Sequence, residues 1–305
     1  MRPVHVALAV LVAAVWGLNF AVIEVGLEDF PPLLLSALRY MLASLPLLLI
    51  GGRAGVPWRW ILAVGGAIGV VKFSLLFVGM DVGMPAGLAS LVLQVQAFFT
   101  VGFAVVLLGE RPRAMQAAGL VLATGGLALV ASGLDGVATP GGFALVVGAA
   151  AAWGIGNVAI KRAAPADPLR FMTWICVVPP LPMLALSLAF EGPARIGDAL
   201  AGVDLGGVAA VAYIAFAATT VGWGLWAFLL RTYSAGTVAP FSLLVPVFGL
   251  GFAAVLLDER LSARSAIAAG FVVSGVMLTQ RAPRISPQIA ATVPPEPLQG
   301  GARAG

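Results

Sequence analysis

The chain has 305 residues, of which 61% are hydrophobic and 10% charged, with a formal net charge of +4. A soluble domain carries about 25% charged residues, so this composition excludes an ordinary water-facing globule and calls for lipid as solvent. The 17 Lys and Arg residues are dealt out among loops, not gathered in one patch, which argues against nucleic acid as a partner. The single cysteine, Cys176, excludes an intramolecular disulfide and thiolate metal clusters and reads as a packing residue.

Ten stretches are apolar and near the roughly 20 residues that a bilayer core requires. They run at about 4–23, 31–50, 58–80, 86–108, 113–132, 140–161, 168–190, 205–231, 236–257 and 263–280. Arg2 is the only basic flank of the first, and no cleavage site follows, so it reads as a retained span. With the N-terminus placed in the cytoplasm, inside segments hold 12 Lys or Arg residues and outside segments 3. That bias predicts cytoplasmic N- and C-termini. Beyond position 282 the chain turns proline-rich, and 283–305 reads as a disordered cytoplasmic tail.

The segment GLASLVLQVQAFFTVGFAVVLLGER (87–111) recurs as GTVAPFSLLVPVFGLGFAAVLLDER (236–260), with 10 of 25 residues identical. Trp16-Gly17-Leu18-Asn19 likewise resembles Trp153-Gly154-Ile155-Gly156-Asn157, and Pro32 and Pro46 match Pro168 and Pro182. The unit is five spans taken twice: 1–135 and 136–282. Because five is odd, the second unit enters the membrane upside down. The expected fold is therefore an all-α membrane protein of ten transmembrane helices in two five-helix inverted repeats. In secondary transporters of that kind the site lies near the midplane between the halves.

Charged and aromatic residues inside spans are the site candidates. Lys72 sits in the third span amid VVKFSLLF. An ammonium there costs several kcal/mol unless hydrated or paired, so it should face a cavity and meet an anionic group. Phe73, Leu76 and Phe77 follow it on the same helix face as an apolar wall. Trp16 and Asn19 share one face, as do Trp153 and Asn157, and the two pairs are repeat mates. In the fourth span Gln94 follows the stripe of Ser90 and Ala97. Gln96 is placed elsewhere on the helix, so both glutamines should not face one cavity. Thr219 and Trp223 are four apart in the eighth span. Trp226 follows, read equally as cavity wall or lipid-facing indole. Pro240 and Pro246 remove backbone donors from the ninth span and mark it as a candidate gate. Glu110-Arg111 and Glu259-Arg260 read as helix-end caps.

Several chemistries are absent by motif. Gly249-x-Gly251-x-x-Ala254 mimics a dinucleotide fingerprint, but it lies inside a span and reads as close helix packing. No metalloprotease, nucleophile-elbow or P-loop motif occurs, and no two acids lie together at membrane depth. No catalytic residue, metal or cofactor is expected. His5 lies too near the membrane edge to serve as a midplane proton relay.

WGLNF (16–20), Pro31-Pro32-x6-Arg39, AGLASLVLQVQAFFT with LLGER, and VAPFSLLVPVFGLGFAAVLLDERL together resemble the EamA-type members of the drug/metabolite transporter superfamily. The resemblance covers residues 1 to about 280. Gln94-x-Gln96-Ala97 and VAPFSLLVP are most similar to exporters of amino acids, of the cysteine/O-acetylserine and aromatic-amino-acid types. It implies a bacterial inner-membrane exporter of amino acids or related metabolites, acting by alternating access. The midplane spans hold no Asp or Glu, which disfavours a carboxylate proton relay and leads us to expect facilitated diffusion or exchange, by a monomer or homodimer among lipids. The resemblance also puts Arg39 on a helix outside the central path, with Glu24 as its expected partner. Export of drugs is the alternative within the superfamily. A membrane enzyme or non-transporting lipid-binding protein is the alternative outside it.

Overall fold

The computed structural model describes residues 1–46, 52, 55–109, 114–132, 138–233, 238–260 and 262–281. Among these, the regular structure is entirely helical. The Glu110-Arg111 pair and the 283–305 tail lie outside the described residues. Six helices are long and apolar enough to cross a membrane: α1 (Pro3–Asp29), α3 (Trp58–Asp81), α4 (Ala86–Leu108), α6 (Pro140–Ala163), the stretch Arg170–Phe190, and α10 (Leu205–Leu229). Shorter apolar helices accompany them: α2 (Pro32–Ser44), α5 (Ala114–Ala131), α11 (Val245–Leu256) and α12 (Ala263–Arg281). This is a multi-pass membrane protein.

Local sequence explains where the helices begin and break. Proline opens α1, α2 and α6 at the first helical position, where no intrahelical amide bond is lost. The predicted span 168–190 is broken into α7 (Pro168–Ile175) and α8 (Pro180–Phe190). Pro179 and Pro180 cannot donate to the preceding turn, so the helix stops and restarts there. A short helix that the sequence reading did not anticipate, α9 (Pro193–Gly202), joins α8 to α10.

The two halves pack by reciprocal contacts. A Cβ on Gly17 of α1 would stand 2.9 Å from the backbone nitrogen of Gly249 in α11, and one on Gly154 of α6 would stand 2.9 Å from that of Thr100 in α4. Thr100 and Gly249 are 149 positions apart, the offset of the long repeat. The same exchange occurs in the α5–α12 pair. Gly126 meets Val272 and the Ala268 carbonyl, while Gly275 meets Ala123 and the Gly119 carbonyl. Each contact is matched by its repeat mate, as residues behave about a two-fold axis. Small residues are needed because lipid drives no hydrophobic association, so affinity between helices comes from close approach of backbones.

Two pairs of helix irregularities occupy matching positions. α3 carries a π-helical segment at Gly65–Lys72 and α10 carries one at Tyr213–Val221. α4 contains a 3₁₀ turn at Leu93–Val95, and a 3₁₀ turn at Ala239–Leu244 leads into α11. Such departures from α geometry re-aim side chains and are frequent at functional sites. In α3 the widened segment receives the α7–α8 turn. A Cβ at Gly65 would lie 2.6 Å from that of Val178, and one at Gly69 would strike the Pro179 ring. In α10 the hydroxyls of Thr219 and Thr220 bond the carbonyls of Ile214 and Ala215, five residues back, at 2.8 and 3.1 Å.

Candidate substrate site between the halves

All four irregularities converge on one cavity of about 280 Å³. That is near the lower end of the range for small-molecule sites. Its walls come from α1, α2, α3, α4, α6, α10 and the turn before α11, so neither half forms it alone.

One wall is cationic. Lys72 ends the π segment of α3 and is 3% exposed. Its Nζ stands 3.2 Å from the centroid of the Phe73 ring and 4.2 Å from that of Trp153. These ring faces stabilise the ammonium without neutralising it. Arg39 of α2 also lines the cavity and is 3% exposed. Its guanidinium lies 3.9 Å over the same Phe73 ring, and its Nη2 donates to Thr219 Oγ1 at 2.7 Å. Arg39 Nε and Nη1 are buried and unpartnered. The expected Glu24 partnership is corrected. Glu24 lies farther along α1, where its charged neighbours are Glu259, Glu28 and Asp81. The face of α2 that carries Arg39 turns toward α3 and α10, an orientation that a thirteen-residue apolar helix does not announce.

A second part of the wall is aromatic. Trp16 packs against Trp223 and Trp226, with ring centroids 5.4 and 5.2 Å away. Its indole nitrogen donates to the Ala218 carbonyl at 2.9 Å, joining α1 to the π segment of α10. Trp226 therefore belongs to the cavity wall, which decides between its two sequence readings.

Amides close the remaining side. Asn19, Gln94, Gln96 and Asn157 all line the cavity. Asn157 donates to Thr100 Oγ1 at 3.0 Å, and Gln94 donates to the Ser242 carbonyl at 3.3 Å. The oxygens Asn19 Oδ1 and Gln96 Oε1 are buried without a partner. The expectation that Gln94 and Gln96 would not share a cavity is corrected by the 3₁₀ turn between them. Two residues apart on an α-helix point about 160° from each other, whereas on a 3₁₀ turn the angle is about 120°.

Of the other candidates, Phe73, Trp153 and Trp223 line the cavity alongside Lys72, Trp16 and Asn19. Phe77 does not. It is fully buried behind Phe73, edge-on at 5.7 Å between centroids. Thr219 stands one layer back, holding Arg39. Pro240 lies in the 3₁₀ turn and Pro246 is buried at the start of α11, while Ser242 and Val245 between and beside them reach the cavity. Gly249 packs on Ser90, so its glycine motif serves helix contact. Cys176 is buried and bonds the Met172 carbonyl.

The N-terminal ends of two helices are capped by carboxylates. Glu259 accepts from the Ala86 and Gly87 amides at 2.7 and 3.0 Å, capping α4. Burial pushes the Glu259 carboxyl above its ordinary value, while the two amides pull it back. Glu191 accepts from Leu33 and Leu34 at 2.6 and 3.1 Å, capping α2. Carboxylates at helix N-termini satisfy orphan amides and the positive dipole end.

The arrangement defines a class: a multi-pass membrane protein with a cavity of cationic, aromatic and amide side chains between two related halves. The chain belongs to the EamA-like transporter family, whose model matches it twice, at residues 4–132 and 140–281. It is 42% identical to a probable amino-acid metabolite efflux pump of Escherichia coli (strain K12), across 89% of this chain and 93% of that one. A probable terminal-alkyne amino-acid exporter of Streptantibioticus cattleyicolor is 28% identical, across 89% and 92%. One solved crystal structure shares the fold at 20% identity, with a TM-score of 0.63 over 92% of this chain and 98% of that one.

Proposed function

We propose that the protein is an inner-membrane secondary transporter that exports amino acids or related metabolites by alternating access, as facilitated diffusion or exchange. In this reading ten helices form two inverted five-helix repeats, with both termini in the cytoplasm. The observation that carries it is the cavity between the halves, cationic at Lys72, aromatic at Trp16 and Trp223, and lined with amides. An amino acid has a carboxylate for Lys72, an ammonium for the unpartnered oxygens of Asn19 and Gln96, and a side chain for the indoles. Relatives named as an amino-acid metabolite efflux pump and an amino-acid exporter agree with that chemistry. Reciprocal packing of the halves supports exchange of their two conformations as the route of transport. A cavity with two cations disfavours cationic drugs through like-charge repulsion.

The test is uptake of a panel of labelled amino acids by proteoliposomes, wild type beside Lys72→Ala. Saturable uptake by wild type that falls about thirtyfold or more in the folded variant is the expected result, the scale of losing one partner of a buried charge pair. Undiminished uptake in the variant returns Lys72 to a structural role. Absence of uptake for every amino acid overturns the substrate assignment. A strict requirement for an imposed proton gradient overturns facilitated transport.

A further inference from the structure

Arg39 contacts no part of the substrate in the reading above, yet it is one of two buried cations on the cavity wall. The residue is buried, it lies inside the membrane-spanning bundle, and one of its three guanidinium nitrogens has a hydrogen-bond partner. That partner, Thr219, is neutral. Among the described residues no carboxylate pairs with Arg39 or Lys72. Lys72 feels the charge of Arg39, and Arg39 has the uncharged Tyr40 and Cys176 beside it. Two cations thus share one ring, Phe73, at the wall of one cavity. Buried charges of this kind persist where something pairs with them, and here the protein supplies no anion.

We propose that Arg39 is a second anion-binding residue, and that the cavity selects amino-acid metabolites carrying a second carboxylate over their neutral isosteres. The proposal rests on the transport reading. A zwitterion brings zero net charge and leaves the +2 of Lys72 and Arg39 uncompensated overall. A dicarboxylic amino acid brings −1 and lowers the total to +1. Its α-carboxylate meets Lys72, its second carboxylate meets the free Nε and Nη1 of Arg39, and its ammonium meets Asn19 and Gln96. Discrimination arises because the neutral isostere leaves a buried charged donor unpaired, which is where polar sites reject most strongly.

The experiment compares two isosteric pairs, glutamate with glutamine and aspartate with asparagine, by uptake into proteoliposomes holding the full chain. In the wild type the acid of at least one pair should show a KM about tenfold or more below that of its amide. In Arg39→Gln the two KM values should converge to within about twofold. Equal KM values in the wild type, or a preference for the amides, overturn the proposal and leave the transport reading intact. Transport of other amino acids with neither pair moved does the same. Loss of all amino-acid transport by the wild type is failure of the underlying reading instead. Should Arg39→Gln fail to fold, the wild-type comparison decides alone.

Discussion

α3 and α10 hold equivalent places in the two halves, and both carry a π segment at mid-length, yet they present opposite chemistry to the cavity. The α3 segment is glycine-rich. Gly65 and Gly69 admit Val178 and Pro179 at its back, while Lys72 and Phe73 face inward. The α10 segment is hydroxyl-rich. Thr219 and Thr220 tie off carbonyls five residues back, and Ala218, Trp223 and Trp226 face inward. The shared backbone irregularity places both helices to line one space. Their side chains then give that space a charged part and an aromatic part. The repeat places both helices at the cavity, and their differences set the chemistry of its wall.

Four substitutions break or sharpen the contrast. Gly69→Val should have the largest effect, because the new methyls strike Pro179 and have no room to yield. Overpacking of this kind costs about 1–3 kcal/mol, and folded protein recovered in detergent should fall sharply, with Tm lowered by several degrees. Lys72→Met should separate function from stability. Replacing a lone buried ammonium by an apolar side chain of similar length removes its desolvation cost, so thermal unfolding should hold or rise while saturable uptake is lost. Trp223→Ala removes some of the aromatic part and leaves the cations in place. Substrates with large apolar side chains should lose about tenfold in KM, the scale of one buried aromatic contact set against a pocket that partly refills, and the smallest substrates should lose less. The mildest is Thr219→Val, which deletes the hydroxyl that holds Arg39. At about 1 kcal/mol for one hydrogen bond, Tm should shift slightly and KM should change by no more than about fivefold.

The caps add a second contrast. Glu259 holds the start of α4 and Glu191 the start of α2, each from a segment distant in sequence. The acid-plus-arginine ending of the repeated segment pointed to a capping role for Glu259. Nothing in its own neighbourhood pointed to Glu191, because its partners Leu33 and Leu34 lie more than 150 residues away.

Composition and periodicity were enough to establish a helical membrane protein, its long spans and the repeated segment, because lipid demands apolar length and internally satisfied backbone. They also exposed Lys72, since a lone ammonium in a run of apolar residues has few places to go. Trp16, Asn19, Trp153 and Asn157 were legible through their repetition, and the structure brings all four to one cavity. Tertiary structure alone decided the rest. The rotation of α2 turned Arg39 inward toward Phe73 and Thr219 and away from Glu24. A three-residue 3₁₀ turn brought Gln96 round beside Gln94, packing put Phe77 behind Phe73, and the α7–α8 break found its seat on Gly65 and Gly69. The physical reason is common to these cases. A helix that is apolar all round carries no stripe to declare its orientation, so which side faces the cavity is set by the neighbours it packs against.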